Sequence, residues 1–200
     1  MSEDGKQKII DAAKRVITKS GIPGATMRGI AEEAGISTGA IYHYYKSKDE
    51  ILYDVMDSNP AASTRIAKES VTGEKTCAEL VDAICDSVLQ HFAKEDENRL
   101  QFYLAQEAMM GNEELKAKFK KKYSEWSESI ELLIQNMYGK TPTKYNKAIA
   151  SLLIAVVDGF VLQLQLCSNP AEVQDVVEVY RQILTNGVPH MWERLAAKSY

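Results

Sequence analysis

The chain is poor in the residues that build metal centres and cross-links. It has three histidines and three cysteines in 200 residues. His43, His91 and His190 are far apart, and no HxxxH or CxxC spacing occurs, so no metal site is expected. Cys77, Cys85 and Cys167 form an odd set without a paired motif. Cys77 and Cys85 are eight apart on one predicted helix, about 12 Å by helical rise, which is beyond disulfide reach. They read as small core residues, with a thiol sensor as the alternative. A glycine-rich phosphate loop and a nucleophile elbow are both missing, so neither an enzyme nor a bound cofactor is expected. No apolar run approaches the roughly 18 residues needed to span a bilayer, and MSEDGKQK lacks an apolar signal core. A cytoplasmic protein with no membrane partner is the expectation.

Acidic residues are missing from one place in particular. The formal charge is −4, yet residues 34–48 contain no Asp or Glu and do contain Lys46 and Lys48. Residues 1–50 carry a net +1, which leaves −5 for the remainder. Any positive potential must therefore be local to one face of the N-terminal part.

That stretch has the layout of two short helices around a tight turn. Thr26 is placed to cap a helix over Met27–Ala34. Ile30 and Ala34 share a face, and Ala31 is small enough for a second helix to approach. Gly35 sits where a left-handed residue ends a helix, and Ile36 plugs the turn. Ser37 caps a second helix, Thr38 to Tyr45, with Ile41 and Tyr45 on its inner side. Thr38, Gly39, Tyr42 and His43 occupy the other side. This is the helix-turn-helix arrangement that seats one helix in the major groove.

Residues 6–57 resemble the DNA-binding domain of the TetR family of transcriptional regulators. The resemblance rests on KIIDAAKRVITKSG, Gly24-Ala25-Thr26, IAEEAGIS and TGAIYHYYKSKDEIL. Tyr45 departs from the pattern, since the family usually has phenylalanine there. Its hydroxyl then needs a partner. From pattern and resemblance together, Thr26, Tyr42 and Lys48 are candidates for phosphates, with Lys46 as a further one. Arg28, Ser37, Thr38 and His43 are candidates for base edges, with Gly39 and Ala40 allowing close approach. Tyr44 faces either phosphate or the core. Arg28 has an alternative role as an ion pair with Glu32, and His43 as a solvated residue.

The rest of the chain also reads as helix, giving an all-α fold. A three-helix N-terminal domain (residues 1–60) precedes a helical-bundle effector and dimerisation domain (residues 61–200), with about nine to ten helices in all. The first helix spans Lys6 to Ser20 and stops at Gly21. Ser47-Lys-Asp-Glu50 reads as a capping box opening a fourth helix that Pro60 ends. That helix's positive end, with Lys48, points beside the recognition helix. The polar stretch 58–73 is placed as a hinge. Thr76-Cys-Ala-Glu79 is a second capping box. Leu100 to Met110 forms a helix, and Asn112 caps a long one that Gly139 ends. Thr141-Pro142 and Asn169-Pro170 read as cap-plus-proline helix starts. Asn186-Gly187 reads as a helix end, and Pro189 as the start of a short last helix.

The helix after Pro142 carries an apolar band wider than one core face needs. With the next helix it suits a two-fold interface through Leu153, Val157, Gly159, Val161, Val176, Tyr180 and Ile183. Burial within a monomer is the alternative. The TetR resemblance implies a dimer, a small-molecule pocket and a fourth helix that acts as a lever on the DNA-binding heads. Candidate pocket residues are Phe102, Tyr103, Glu107 and Met110, with the neighbouring Met109, and Tyr123, Trp126, Met137 and Phe160. Plain core is the alternative for each. The expected function is a homodimeric repressor that binds a palindromic duplex-DNA operator and is released by a small-molecule effector. An activator of the same fold, or a helical ligand-binding protein without DNA activity, is the rival.

Overall fold

The structure is a computed structural model and describes residues 3–57, 62–138 and 144–197. The regular elements among the described residues are all helices, and they form two compact units. One unit joins Met1–Asn59 to Arg99–Phe119. The other holds Pro60–Asn98 and Lys120–Tyr200.

The first unit begins with α1 (Glu3–Gly24), α2 (Met27–Ala34), α3 (Thr38–Ile41) and α4 (Lys48–Asp57). Gly21 has φ 71° and breaks α1 as expected, but a further helical turn follows it and carries the buried Ile22. Ile9, Ala12 and Ala13 of α1 pack with Ile30, Ala31 and Ala34 of α2, with Ile41 and Tyr45, and with Ile51 of α4. The small alanines let α1 and α2 approach closely enough for Ile41 to be fully buried. Gly35 takes φ 66°, and the Gly35 and Ile36 N–H groups cap the end of α2 at Glu32 O and Ala31 O.

A second cluster in this unit gathers Ile22, Leu52 and Tyr53 with Leu100, Leu104, Ala108, Leu115 and Phe119. The last five come from α7 (Glu95–Met109) and the start of α8 (Glu113–Tyr138). Tyr53 donates to Lys118 O at 3.3 Å and meets Phe119 edge-on. Asn112 accepts from Leu115 N at 3.1 Å, the cap its position predicts, and donates to Asp49 at 3.1 Å.

The second unit contains α5 (Ala62–Val71), α6 (Cys77–Phe92), the rest of α8, α9 (Asn146–Gln165), α10 (Val173–Gln182) and α11 (Val188–Ala196). Ile66, Ala67, Leu80 and Leu133 form a core cluster, and Phe92 packs on Phe160 with ring centroids 5.0 Å apart. Thr76 and Glu79 form the expected reciprocal capping box.

Several sequence expectations change here. Residues 62–71, read as hinge, are α5, because Ile66 and Ala67 recur at helical spacing and are buried. Asn169-Pro170 does not open a helix. Asn169 instead bonds Ala171 O, and α10 starts at Val173. Gly187 does not end one either: its φ is −70°, and a π-helical stretch, Ile183–Gly187, carries α10 straight into α11. Pro60, Gly139 and Thr141-Pro142 lie outside the described residues. Helix α9 is long and apolar enough to cross a membrane, with mean hydropathy 1.8 over its best window. No unbroken apolar run marks it in the sequence, because Lys147, Asp158 and polar side chains interrupt it.

Ile41 is the pivot of the head, so Ile41→Ala removes a fully buried side chain. It is expected to cost about 2–5 kcal/mol, measured by urea unfolding.

Candidate nucleic-acid interface

The turn Gly35–Ser37 fixes the angle between α2 and α3. Thr26 Oγ accepts from Gly29 N at 3.0 Å and Ser37 Oγ accepts from Ala40 N at 3.1 Å. Each hydroxyl is exposed and keeps its own proton for an outside acceptor. Helix α3 is shorter than the expected Thr38–Tyr45. After Ile41 the chain tightens, with His43 N bonding Ala40 O, and both Tyr44 N and Tyr45 N bonding Ile41 O. The tightening lets both Ile41 and Tyr45 point inward. Tyr45 is buried, and its hydroxyl donates to Asp54 at 2.9 Å, which supplies the partner its departure from phenylalanine requires. Burial and the neighbouring Asp54 carboxylate push that phenol well above its ordinary range.

With Ile41 and Tyr45 inside, the opposite face is outside. Thr38, Gly39, Tyr42 and His43 are exposed, Tyr42 at 54%, and Ala40 is half-buried. Tyr44 turns towards the core: its ring packs on the head cluster and against Gly5, where a Cβ would stand 2.6 Å from the hydroxyl.

The cations divide into engaged and presented groups. Arg28 is held by Glu32 at 2.8 Å, the ion pair foreseen as its alternative role, and this hydrogen bond raises its pKa. Glu33 takes Arg15 at 2.7 Å and Lys19 at 3.0 Å. Those two hydrogen bonds hold its carboxyl below the usual range. Lys46 is exposed. Lys48 Nζ lies 5.6 Å from the Tyr103 ring centroid, within cation–π range. The start of α4 differs from the expected capping box. Ser47 Oγ accepts from Glu50 N at 3.2 Å, but Glu50 accepts from Lys46 N at 2.6 Å, one residue beyond the reciprocal position. The Lys46 N–H is therefore spent inside the protein.

The eight pocket candidates do not fall in one unit. Phe102, Tyr103, Glu107 and Met110 belong to the first. Met109 and Met110 are largely exposed there, and Tyr103 packs on the second cluster of that unit. Tyr123, Trp126, Met137 and Phe160 belong to the second. Tyr123 and Trp126 are in ring contact at 5.1 Å, while Met137 and Phe160 are packed into that unit's core.

The interface candidates need a correction too. Leu153, Val161 and Tyr180 are buried in their own unit. The wide apolar band of α9 has an inner and an outer edge that the sequence does not tell apart. Leu152, Val156 and Leu166 are exposed on the outer one, beside the exposed Gly159. Val179 on α10 and Ile183, which opens the π-helical stretch, are exposed, and Val176 is half-buried. Val157 is half-buried.

A residue that sequence reasoning missed is Asp158. It accepts from Tyr123 Oη at 2.6 Å. The available signal was a lone acid in an otherwise apolar helix.

A short helix held on a turn, with an uncharged polar face and flanking lysines, defines a helix-turn-helix DNA-binding head. Residues 9–55 match the pattern described as bacterial regulatory proteins, tetR family, so the head is similar to the DNA-binding part of that family. The HTH-type transcriptional regulator PksA of Bacillus subtilis (strain 168) is 39% identical over 70 residues, covering 35% of this chain and 30% of that protein. The match thus spans about a third of each, and the relatives are named as regulators, not enzymes.

Solved structures extend the likeness to the fold of nearly the whole chain. A putative transcriptional regulator from Pseudomonas aeruginosa PAO1 has TM-score 0.70 at 18% identity, covering 92% of this chain and 89% of that one. Thermus thermophilus FadR, a TetR-family repressor solved with lauroyl-CoA, has TM-score 0.69 at 14% identity, covering 91% and 94%.

Two classes of DNA contact separate by mutation. Lys48→Ala is expected to weaken binding equally on specific and scrambled duplexes and to lower the log–log salt slope by about 1. Thr38→Ala is expected to cost about 1–3 kcal/mol on the preferred site alone. Glu32→Gln frees Arg28 and is expected to raise affinity for both duplexes severalfold. Fluorescence anisotropy at several salt concentrations reads all three.

Proposed function

We propose that this chain is a cytoplasmic, homodimeric transcriptional repressor. Its head binds a palindromic operator and is released by a small-molecule effector. The observation that carries the reading is the exposed Thr38–His43 face on a helix locked to its core by Ile41 and Tyr45. Thr26, Tyr42, Lys46 and Lys48 hold phosphates. Thr38, His43, Ser37 and Arg28 meet base edges once Arg28 leaves Glu32, and Gly39 and Ala40 permit close approach. Tyr44 supports the helix from the core side. DNA contact belongs to residues 1–60, and dimerisation and effector binding to residues 61–200.

Dimerisation follows from apolar surface. Leu152 is 61% exposed, Leu166 67% and Val179 60%. Together with Val156, Gly159 and Ile183 they make stripes on α9 and along α10 into the π-helical stretch that a twin copy would cover. The same pairing accounts for the hydropathy of α9 without a membrane. Release by an effector is supported by the likeness to a repressor solved with lauroyl-CoA. The effector acts by binding the splayed dimer more tightly than the DNA-bound one.

Mobility shift with the chain's own upstream DNA at stated salt, beside a mass from light scattering, tests the reading. A dimer mass and a retarded band are expected. Val156→Glu is expected to give a folded monomer that loses tight operator binding, because one head cannot span two half-sites. A monomeric wild type with no retarded band would leave the ligand-binding rival. A reporter gene gives the sign of regulation and separates repressor from activator.

A further inference from the structure

We propose that the groove between α8 and α9, with Asp158 and Tyr123 at its base, binds a compact organic ammonium ion. The groove encloses about 140 Å³ and is lined by Tyr123, Ser151, Ile154, Ala155 and Asp158, all within the second unit.

The chemistry starts from Asp158. Asp158 is half-buried, and its hydrogen bond comes from the Tyr123 hydroxyl at 2.6 Å. No cation pairs with it among the described residues; Lys122, next to Tyr123 in sequence, lies instead over the Trp126 ring at 5.3 Å. Burial accordingly holds the Asp158 carboxyl above the usual carboxylate range, with the Tyr123 bond offsetting part of that rise. A partly desolvated carboxylate without a counter-ion carries an unfavourable cost, and an incoming cation offsets it.

The walls select the kind of cation. Calcium or magnesium needs about six or more oxygen ligands, whereas this groove offers one carboxylate, a phenol and a serine hydroxyl. Ile154 and Ala155 give it apolar sides, and Tyr123 adds an aromatic ring to the lining. An ammonium carrying small alkyl groups meets all of these at once.

The groove lies beside the proposed dimer seam. Helix α9 turns about 100° per residue, so Ser151, Ile154, Ala155 and Asp158 share one side. Of the seam residues, Val156 lies about 100° or more from all of these, whereas Leu166, Gly159 and Leu152 are about 20°, 40° and 60° from Ala155, so the seam borders the groove at Ala155. The effector role of the bound ion rests on the regulator reading, but the binding itself does not.

Calorimetric titration of the full chain with tetramethylammonium chloride tests this, with tert-butanol as the neutral molecule of similar shape. Saturable binding of tetramethylammonium and none of tert-butanol is expected. Asp158→Asn is expected to weaken binding about tenfold or more with an unchanged melting profile, and Tyr123→Phe to weaken it less. The proposal is overturned by no saturable heat in the wild type, by equal binding of tert-butanol, or by undiminished affinity in Asp158→Asn. It is equally overturned if Asp158→Asn lowers the dimer mass while the wild type ignores tetramethylammonium, since a basic side chain of the second copy would then fill the groove. If Asp158→Asn does not fold, the wild-type contrast between the two probes and Tyr123→Phe decide. Mobility shifts on the same preparations separate the readings. DNA binding without ammonium binding removes the groove's ligand and leaves the regulator, and the reverse result does the opposite.

Discussion

Burial of Ile41 and Tyr45 against α1, α2 and α4 is the constraint on which the head depends. α3 is a single turn, too short to hold itself together. Tertiary contacts supply its stability and fix its orientation at the same time. Once two of its neighbouring side chains are committed inward, helical geometry sends Thr38, Tyr42 and His43 outward. The interface therefore follows from the core packing. The Tyr45–Asp54 bond adds a polar tie between the end of this segment and α4.

Electrostatics shape the same surface by subtraction. Glu32 and Glu33 engage Arg28, Arg15 and Lys19, so much of the head's positive charge is already paired. What remains presented is the region of Lys46 and Lys48, where the sequence has no acid until Asp49. An acidic chain can in this way carry one local cationic face. Exposed ion pairs exchange readily with phosphate, so the paired arginine remains a reserve for close contact.

The sequence was most legible where a residue has one job. Gly35 as a left-handed stop, Thr26, Ser37, Thr76 and Asn112 as caps, and the Ile30–Ile41–Tyr45 core each follow from local rules and stand in the structure. It was least legible where a helix is apolar on more than one side. α9 packs Leu153 and Val161 inward and exposes Leu152 and Val156, a difference of one residue that composition does not resolve. α5 was hidden by its polar outer face, and the α10–α11 junction by an Asn-Gly pair that continues the helix. Asp158 is a lone acid in an apolar helix, and only its contact with Tyr123 gives it chemical meaning.

The most direct measurement of the central claim is the map of amide shift changes across the full chain when its own upstream duplex is added. Changes concentrated at Thr26, Ser37, Thr38, Tyr42, His43 and Lys46, with Ile30 and Ile51 little affected, are the expected result. A duplex that perturbs residues elsewhere and leaves Thr38–His43 unmoved would contradict the account.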